Sequence, residues 1–238
     1  MIFRWAAEAR PTAAAFTPTD LGANLRYWTT DAAVRYQDSA RTSLVTAAGQ
    51  DIGSWTDASG LSNHGTSSST ARPLEPAGRD GATFDGANDT ITTPALAAYA
   101  GDFFVGLVLT PTSLAAGFVR FLERVTGGGG VYIGTGGSSD AVLAFVAGAS
   151  SAAIAMSTGA KHYVALERTG TTGKLYVDSA TAGATWTVPS SAIADAATVI
   201  GGPDGAGPYY DGVIHEVVVA KDTSGGDIAN LLAYLATV

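Results

Sequence analysis

Apolar positions along this chain recur at two different spacings. In GDFFVGLVLTPT, residues 101–112, Phe103, Val105, Leu107 and Leu109 fall on one side of an extended chain and Phe104, Gly106, Val108 and Thr110 on the other. Successive strand residues point to opposite faces, and both sides here are largely apolar, so the run predicts an inner strand covered on both faces. FVRFLERV, VYIGTG, AVLAFVAG and AAIAMS follow, then KHYVALERTGTTGKLYVDSA, which reads as two strands joined at Gly170 to Gly173, and finally ATVIGG and DGVIHEVVVA. Strands this short and frequent predict an all-β, antiparallel β-sandwich or jelly roll. The tail changes period: in SGGDIANLLAYLATV, Ile228, Leu231, Leu232 and Leu235 stand at i, i+3, i+4 and i+7, and Ser224 precedes Asp227 by three, predicting one short C-terminal helix with a capping box.

The front of the chain has a looser pattern. Residues 1–20, broken by Pro11 and Pro18, predict an irregular N-terminal arm, and residues 21–238 one domain, since no repeat and no low-complexity linker divides them. Between them Trp28 and Trp55 read as core anchors of a mostly irregular surface. The uncharged run Ala141 to Ala160 is long enough for a bilayer, but Gly148, Ser150 and Ser151 split it as a hairpin would, so no membrane insertion is expected.

Composition sharpens this picture at a few points. With 46% hydrophobic and 14% charged residues, the 238-residue chain has apolar material for a sizeable core. A net charge of −8 without any Lys/Arg cluster argues against a nucleic-acid partner. There is no cysteine, hence no disulfide or thiolate chemistry. MIFRWAAEARPTAAAF carries charges and a proline where a secretory signal needs an unbroken apolar core.

Several segments, in order, resemble the concanavalin A-like lectin and glucanase superfamily, in its laminin-G-like, pentraxin-like branch. FDGANDTITTP, Phe84 to Pro94, is similar to that family's FDG-x-x-D-Y-I strand entry. HYVALERTGTTGKLYVDSATAG resembles its HHVA and LYVDG strands, with Ser179 in place of glycine, and IGGPDGAGPYYDGVIHEVVVA its closing strand, with His215 in place of an aspartate. Upstream, Trp55, Asp57, Ser59, Gly60, Asn63, His64, Arg72 and Pro73 match a lead-in seen in laminin-G-like proteins of bacteriophages and prophages. The resemblance implies a concanavalin A-like jelly roll and a non-enzymatic virion structural protein, a capsid decoration, head fibre or tail module. Its partners would be other virion proteins and host-surface carbohydrate, its location the phage particle surface, and its state a homo-oligomer. A soluble carbohydrate-binding lectin is the alternative, and a glycoside hydrolase a further one.

Candidate chemistry is sparse. Glycosidases of this fold space acids as E-x-D-x-x-E along a strand, a pattern missing here, although separated acids can converge in space. His64, His162 and His215 are too far apart for a local zinc motif, and no G-x-S-x-G supports a serine nucleophile. The resemblance implies calcium at Asn88 and Asp89, while capping of the turn by their side chains is the competing reading; Asp204 and Asp211 are additional candidate ligands that nothing in the sequence brings to the same site. Glycan recognition needs exposed aromatics, because a sugar offers one apolar face and a rim of hydroxyls; Tyr132, Tyr209 and Tyr210, near Gly-rich loops, are the candidates. Tyr209 and Tyr210 must face opposite ways on a strand, so at most one belongs to the core.

Overall fold

The computed structural model describes residues 16–29, 35–95, 101–114, 117–124, 130–136, 140–191, 193, 196–203 and 207–238. Two antiparallel sheets face each other as a sandwich. A seven-stranded sheet runs in the order Leu25–Trp28, Asp211–Lys221, Phe103–Ser113, His162–Thr169, Thr172–Val177 and Ala184–Thr187, with Ala82–Asp85 also paired to Asp211–Lys221. The ten-stranded sheet runs from Ala149–Ser150 through Ala141–Val146, Val131–Thr135, Arg120–Arg124 and Thr198–Ile200 to Ile91–Thr92. It continues with Gly65–Thr66, Ser54–Trp55 and Arg35–Tyr36, while Ile154–Ala155 also pairs with Ala141–Val146.

Strand patterning sets the layers. Phe103, Val105, Leu107 and Leu109 point into the space between the sheets, where they meet Ile133, Val142 and Ala144 of the opposite sheet in the main core. Phe104 and Val108 point the other way, into a second core with Ala165, Tyr176 and Val218. The helix Gly225–Leu235 covers that second face with the expected Ile228, Leu231, Leu232 and Leu235, all buried. Each contributes on the order of 2 kcal/mol of burial. Ser224 caps the helix: its hydroxyl accepts the Asp227 amide at 3.2 Å, and the Asp227 carboxylate accepts the Ser224 amide at 2.8 Å.

Both hairpins expected from turn residues form. Gly170, at φ +57°, sits first in the two-residue loop between His162–Thr169 and Thr172–Val177. Ala147 and Gly148, both at positive φ, turn Ala141–Val146 into Ala149–Ser150. No helix among the described residues is long and apolar enough to cross a membrane.

FDGANDTITTP does more than reverse the chain within one sheet. Ala82–Asp85 belongs to the seven-stranded sheet and Ile91–Thr92 to the ten-stranded one, so the double turn carries the chain from one layer to the other. Asp85 Oδ1 accepts the amides of Ala87 and Asn88 at 2.8 and 3.3 Å, and Asp89 Oδ2 accepts the Asp85 amide at 3.0 Å. The chain crosses again beside it, from Thr198–Ile200 to Asp211–Lys221. The two crossings are tied by Gly86 N–H to the Tyr210 carbonyl, 3.1 Å, and Tyr210 N–H to the Gly201 carbonyl, 2.9 Å.

At the front, both tryptophans are fully buried in the main core, Trp55 donating its indole N–H to the Thr29 carbonyl at 2.9 Å. Arg35 and Glu75, both buried, form a bidentate pair with two 2.8 Å contacts. Of the arm expected over 1–20, residues 1–15 lie outside the described residues. Phe16 and Leu21 pack on the second core beside the helix, and Pro18–Asn24 forms a 3-10 helix capped by Thr17 and Asp20.

Candidate functional site

The sandwich presents its two outer faces differently. The only α-helix among the described residues lies on the seven-stranded sheet. On the ten-stranded sheet, Val142, Ala144 and Val146 turn inward, so the alternate positions 141, 143 and 145 of the same strand turn outward, half-buried.

Phe145 and Tyr132 stand opposite each other in register on this face, with ring centroids 5.0 Å apart and planes 9° from parallel. The Arg120 guanidinium lies 3.9 Å from the centroid of Tyr132. Its Nη1 donates to the Phe118 carbonyl at 3.0 Å, and its Cζ stands 5.7 Å from the Phe118 ring, which is 53% exposed. Glu123, paired across from Tyr132, reaches Arg120 Nε at 3.6 Å. The result is a ladder, Phe145, Tyr132, Arg120 and Phe118, with a carboxylate at its side. Burial raises the Tyr132 phenol above its ordinary value against a lowering by Arg120, which leaves it a neutral hydroxyl at physiological pH. Aromatic rings beside a guanidinium, a carboxylate and a phenol put apolar and hydrogen-bonding groups side by side on one surface, the mixture that a sugar's C–H patches and hydroxyl rim require.

The other sequence candidates go elsewhere. Tyr210 is fully buried, edge-on to Phe84 at 6.1 Å and to Phe121 at 5.2 Å, with its hydroxyl donating to the Val213 carbonyl. As the core residue of the adjacent pair it cannot meet a glycan, which corrects its candidacy. Tyr209 is half-buried, and its ring lies over Gly202 beside the Thr90 methyl, at the crossing loop rather than on the ladder.

Asn88 and Asp89 cap the turn. The Asn88 amide donates to the Thr70 carbonyl at 3.0 Å, and Asp89, 6% exposed, holds the Asp85 amide. Burial, then the nearby Asp85, push the Asp89 carboxyl up to about 6. Asp51, Thr70, Arg72, Asp85 and Asp89 line a cavity of about 350 Å³ there. Calcium takes six to eight oxygens, and among the described residues no group of three or more acids or histidines could hold a metal. The residues present therefore do not fit a calcium ligand set, and turn capping accounts for both side chains. Asp211 pairs across from Asp85 in the sheet, and Asp204 lies outside the described residues.

Three glutamates and two histidines away from the ladder make bonds that hold the fold. Glu75 binds Arg35, Glu167 accepts from Lys174 at 2.8 Å and from the Tyr176 hydroxyl, and Glu216 accepts from Tyr234 at 2.7 Å. His64 Nδ1 accepts the Asp57 amide at 3.1 Å, and Asp57 in turn accepts the amides of Ser59 and Asn63, so the lead-in motif closes its own loop. His215, 4% exposed, donates from Nδ1 to the Asp80 carbonyl and meets Thr110 Oγ1 at 2.9 Å through Nε2; burial lowers its pKa. His162 opens its strand as expected.

Sequence reading finds Tyr132 and misses Phe145, Arg120 and Phe118. The alternation in AVLAFVA contains the signal that Phe145 leaves the core, since it shares parity with Ala141 and Leu143.

No family model and no curated protein matches the chain. Among solved structures, it is similar to Trypanosoma rangeli sialidase in complex with sialic acid, with a TM-score of 0.60 and 18% identity over 91% of this chain and 34% of that one. A covalent-intermediate complex of the same sialidase gives a TM-score of 0.58 at 16% identity, covering 87% and 32%. Botulinum neurotoxin type C, whose cell entry depends on interaction with two ganglioside molecules, gives 0.51 at 14% identity, covering 78% and 51%. The chain thus spans about a third of the sialidase chains it matches. At such identities the likeness concerns the fold alone, an antiparallel β-sandwich.

Proposed function

We propose that this protein is a carbohydrate-binding β-sandwich whose site is the outer face of the ten-stranded sheet. The observation that carries this is the ladder itself: two parallel stacked rings, Phe145 and Tyr132, with a guanidinium 3.9 Å from the second and Glu123 beside it. Similarity in fold to a sialidase in complex with sialic acid and to a neurotoxin that interacts with gangliosides supports a glycan as ligand. Binding is favoured over glycosidic cleavage because Glu75, Glu167 and Glu216 are buried in structural pairings and only Glu123 of the described glutamates borders the ladder. On a glycan array followed by calorimetry, Tyr132→Ala is expected to weaken binding about tenfold or more, near 1.4 kcal/mol, while Tyr209→Ala changes nothing. An array on which the folded wild type binds no glycan, or a Tyr132→Ala protein that binds equally well, overturns the reading. Turnover of a polysaccharide abolished by Glu123→Gln would replace it with the hydrolase.

The same module is proposed to act on a phage particle, as a capsid decoration, head fibre or tail component present in several copies. The support is the resemblance carried by Trp55 to Pro73 and by the three later segments. Electron microscopy of particles with and without the gene tests it: density lost with the gene is expected, and unchanged particles with the protein in the soluble fraction leave a free lectin.

A further inference from the structure

Ser157, His162 and Asp178 lie outside the ladder, and the glycan reading uses none of them. Asp178 follows the strand Thr172–Val177 and is held opposite Tyr163 by two bonds, its amide to the Tyr163 carbonyl at 3.0 Å and the Tyr163 amide to its Oδ1 at 2.9 Å. Its backbone is left-handed, φ +49°, an uncommon state for a residue with a side chain. The remaining oxygen, Oδ2, meets His162 Nδ1 at 2.5 Å, and His162 Nε2 meets Ser157 Oγ at 3.0 Å. His162 is 9% exposed, whereas Ser157 is open to solvent. The serine loop is pinned on both sides, by Met156 N–H to the Asp140 carbonyl at 3.0 Å and Gly159 N–H to the Pro111 carbonyl at 2.7 Å. Ser157 and His162 border an open cavity of about 620 Å³ whose other walls are Ala155, Met156, Thr158 and Asp140.

We propose that Ser157 is a nucleophile toward carboxylic esters of small neutral acyl groups, with His162 as its base and Asp178 as the residue that positions the imidazole. Nδ1–H donated to Asp178 fixes the tautomer and leaves the Nε2 lone pair facing the serine hydroxyl. Ser157 Oγ bonds to the acyl carbon as its proton passes to Nε2. The Ser157 carbonyl, 3.1 Å from Nε2, then offers that N–H a second acceptor. Collapse of the tetrahedral adduct breaks the bond to the alcohol oxygen, which leaves with the proton from Nε2; water, deprotonated by His162, then releases the acid and restores the serine. Thr158, which lines the same cavity, is the residue to supply oxyanion donors through its amide N–H and hydroxyl. Ala155 and Met156 supply an apolar wall for the acyl group, and Asp140 disfavours an anionic one.

The test is labelling of the full chain by an alkyl fluorophosphonate, read by intact mass and peptide mapping, alongside hydrolysis of p-nitrophenyl acetate. One adduct on Ser157 is expected, absent in Ser157→Ala and formed about 100-fold more slowly in His162→Gln. Asp178→Asn is expected to slow labelling and to shift its pH profile, a change that a purely structural contact would not produce. Ser157→Ala alters an exposed side chain, so its melting temperature serves as the folding control. Absence of any adduct on the folded wild type, or an adduct that persists in Ser157→Ala, overturns the proposal and reduces the three residues to a clasp between loop and strand. Glycan binding measured on Ser157→Ala is expected to be unchanged, so this site and the ladder fail or stand independently.

Discussion

Asp89 is a carboxylate that the fold holds more tightly when protonated. Its carboxyl is pushed up to about 6, above the ordinary value of 3.8. A raised folded-state pKa means that the native chain binds the proton better than the unfolded one, so this contribution is complete below about pH 4 and is lost as pH rises toward 6. Asp89→Asn keeps an oxygen acceptor for the Asp85 amide and removes the titration. It is expected to stabilise the protein at pH 7.5 by on the order of 1 kcal/mol and to change little at pH 4, an interval that thermal melts at the two pH values measure. A variant that melts lower than the wild type at pH 7.5 would show that the charge, not the acceptor, holds the turn. The adjacent Tyr209 and Tyr210 make a related point about context. One is core and one is not, but only the crossing of the chain between sheets, with Phe84 and Phe121 closing on Tyr210, decides which.

Among the elements, the C-terminal helix is the most local in its logic. Ser224→Ala removes the hydroxyl that accepts the Asp227 amide and is expected to cost about 1 kcal/mol in urea unfolding; an unchanged midpoint would mean that packing alone sets the helix start. The same locality explains what could be read in advance. The helix is written in i, i+3, i+4 spacing, the strand Phe103–Ser113 in two apolar faces, and the Gly170 hairpin in its turn residues, all within short windows of chain. Layer assignment is not written that way. FDGANDTITTP announces turns, yet which sheet receives Ile91 depends on Thr198–Ile200, far downstream. The ladder is hidden for the same reason, since Arg120, Tyr132 and Phe145 meet only after three strands pair and one slips register at a bulge between Arg120 and Leu122. Ser157, His162 and Asp178 likewise form no motif, because a strand pairing, and not a nucleophile elbow, brings them together.

For the whole molecule, stability rests on two apolar layers without any disulfide, since the chain has no cysteine. Phe16 and Leu21 belong to the second layer. With a chain lacking residues 1–15 as the reference, deletion through Leu21 strips cover from the helix side and is therefore expected to lower the melting temperature by several degrees, about 2–4 °C per kcal/mol lost in a domain of this size. Calorimetry of the two truncations measures this, and equal melting points would mean that Phe16 and Leu21 add nothing. Phe16 and the aromatic ladder occupy opposite sides of the sandwich, Phe16 on the helix-covered sheet and the ladder on the other. A copy held through its helix-covered face has its ladder turned away from the support. On the proposed glycan reading, many copies held this way on one surface would multiply modest single-site affinities into avidity.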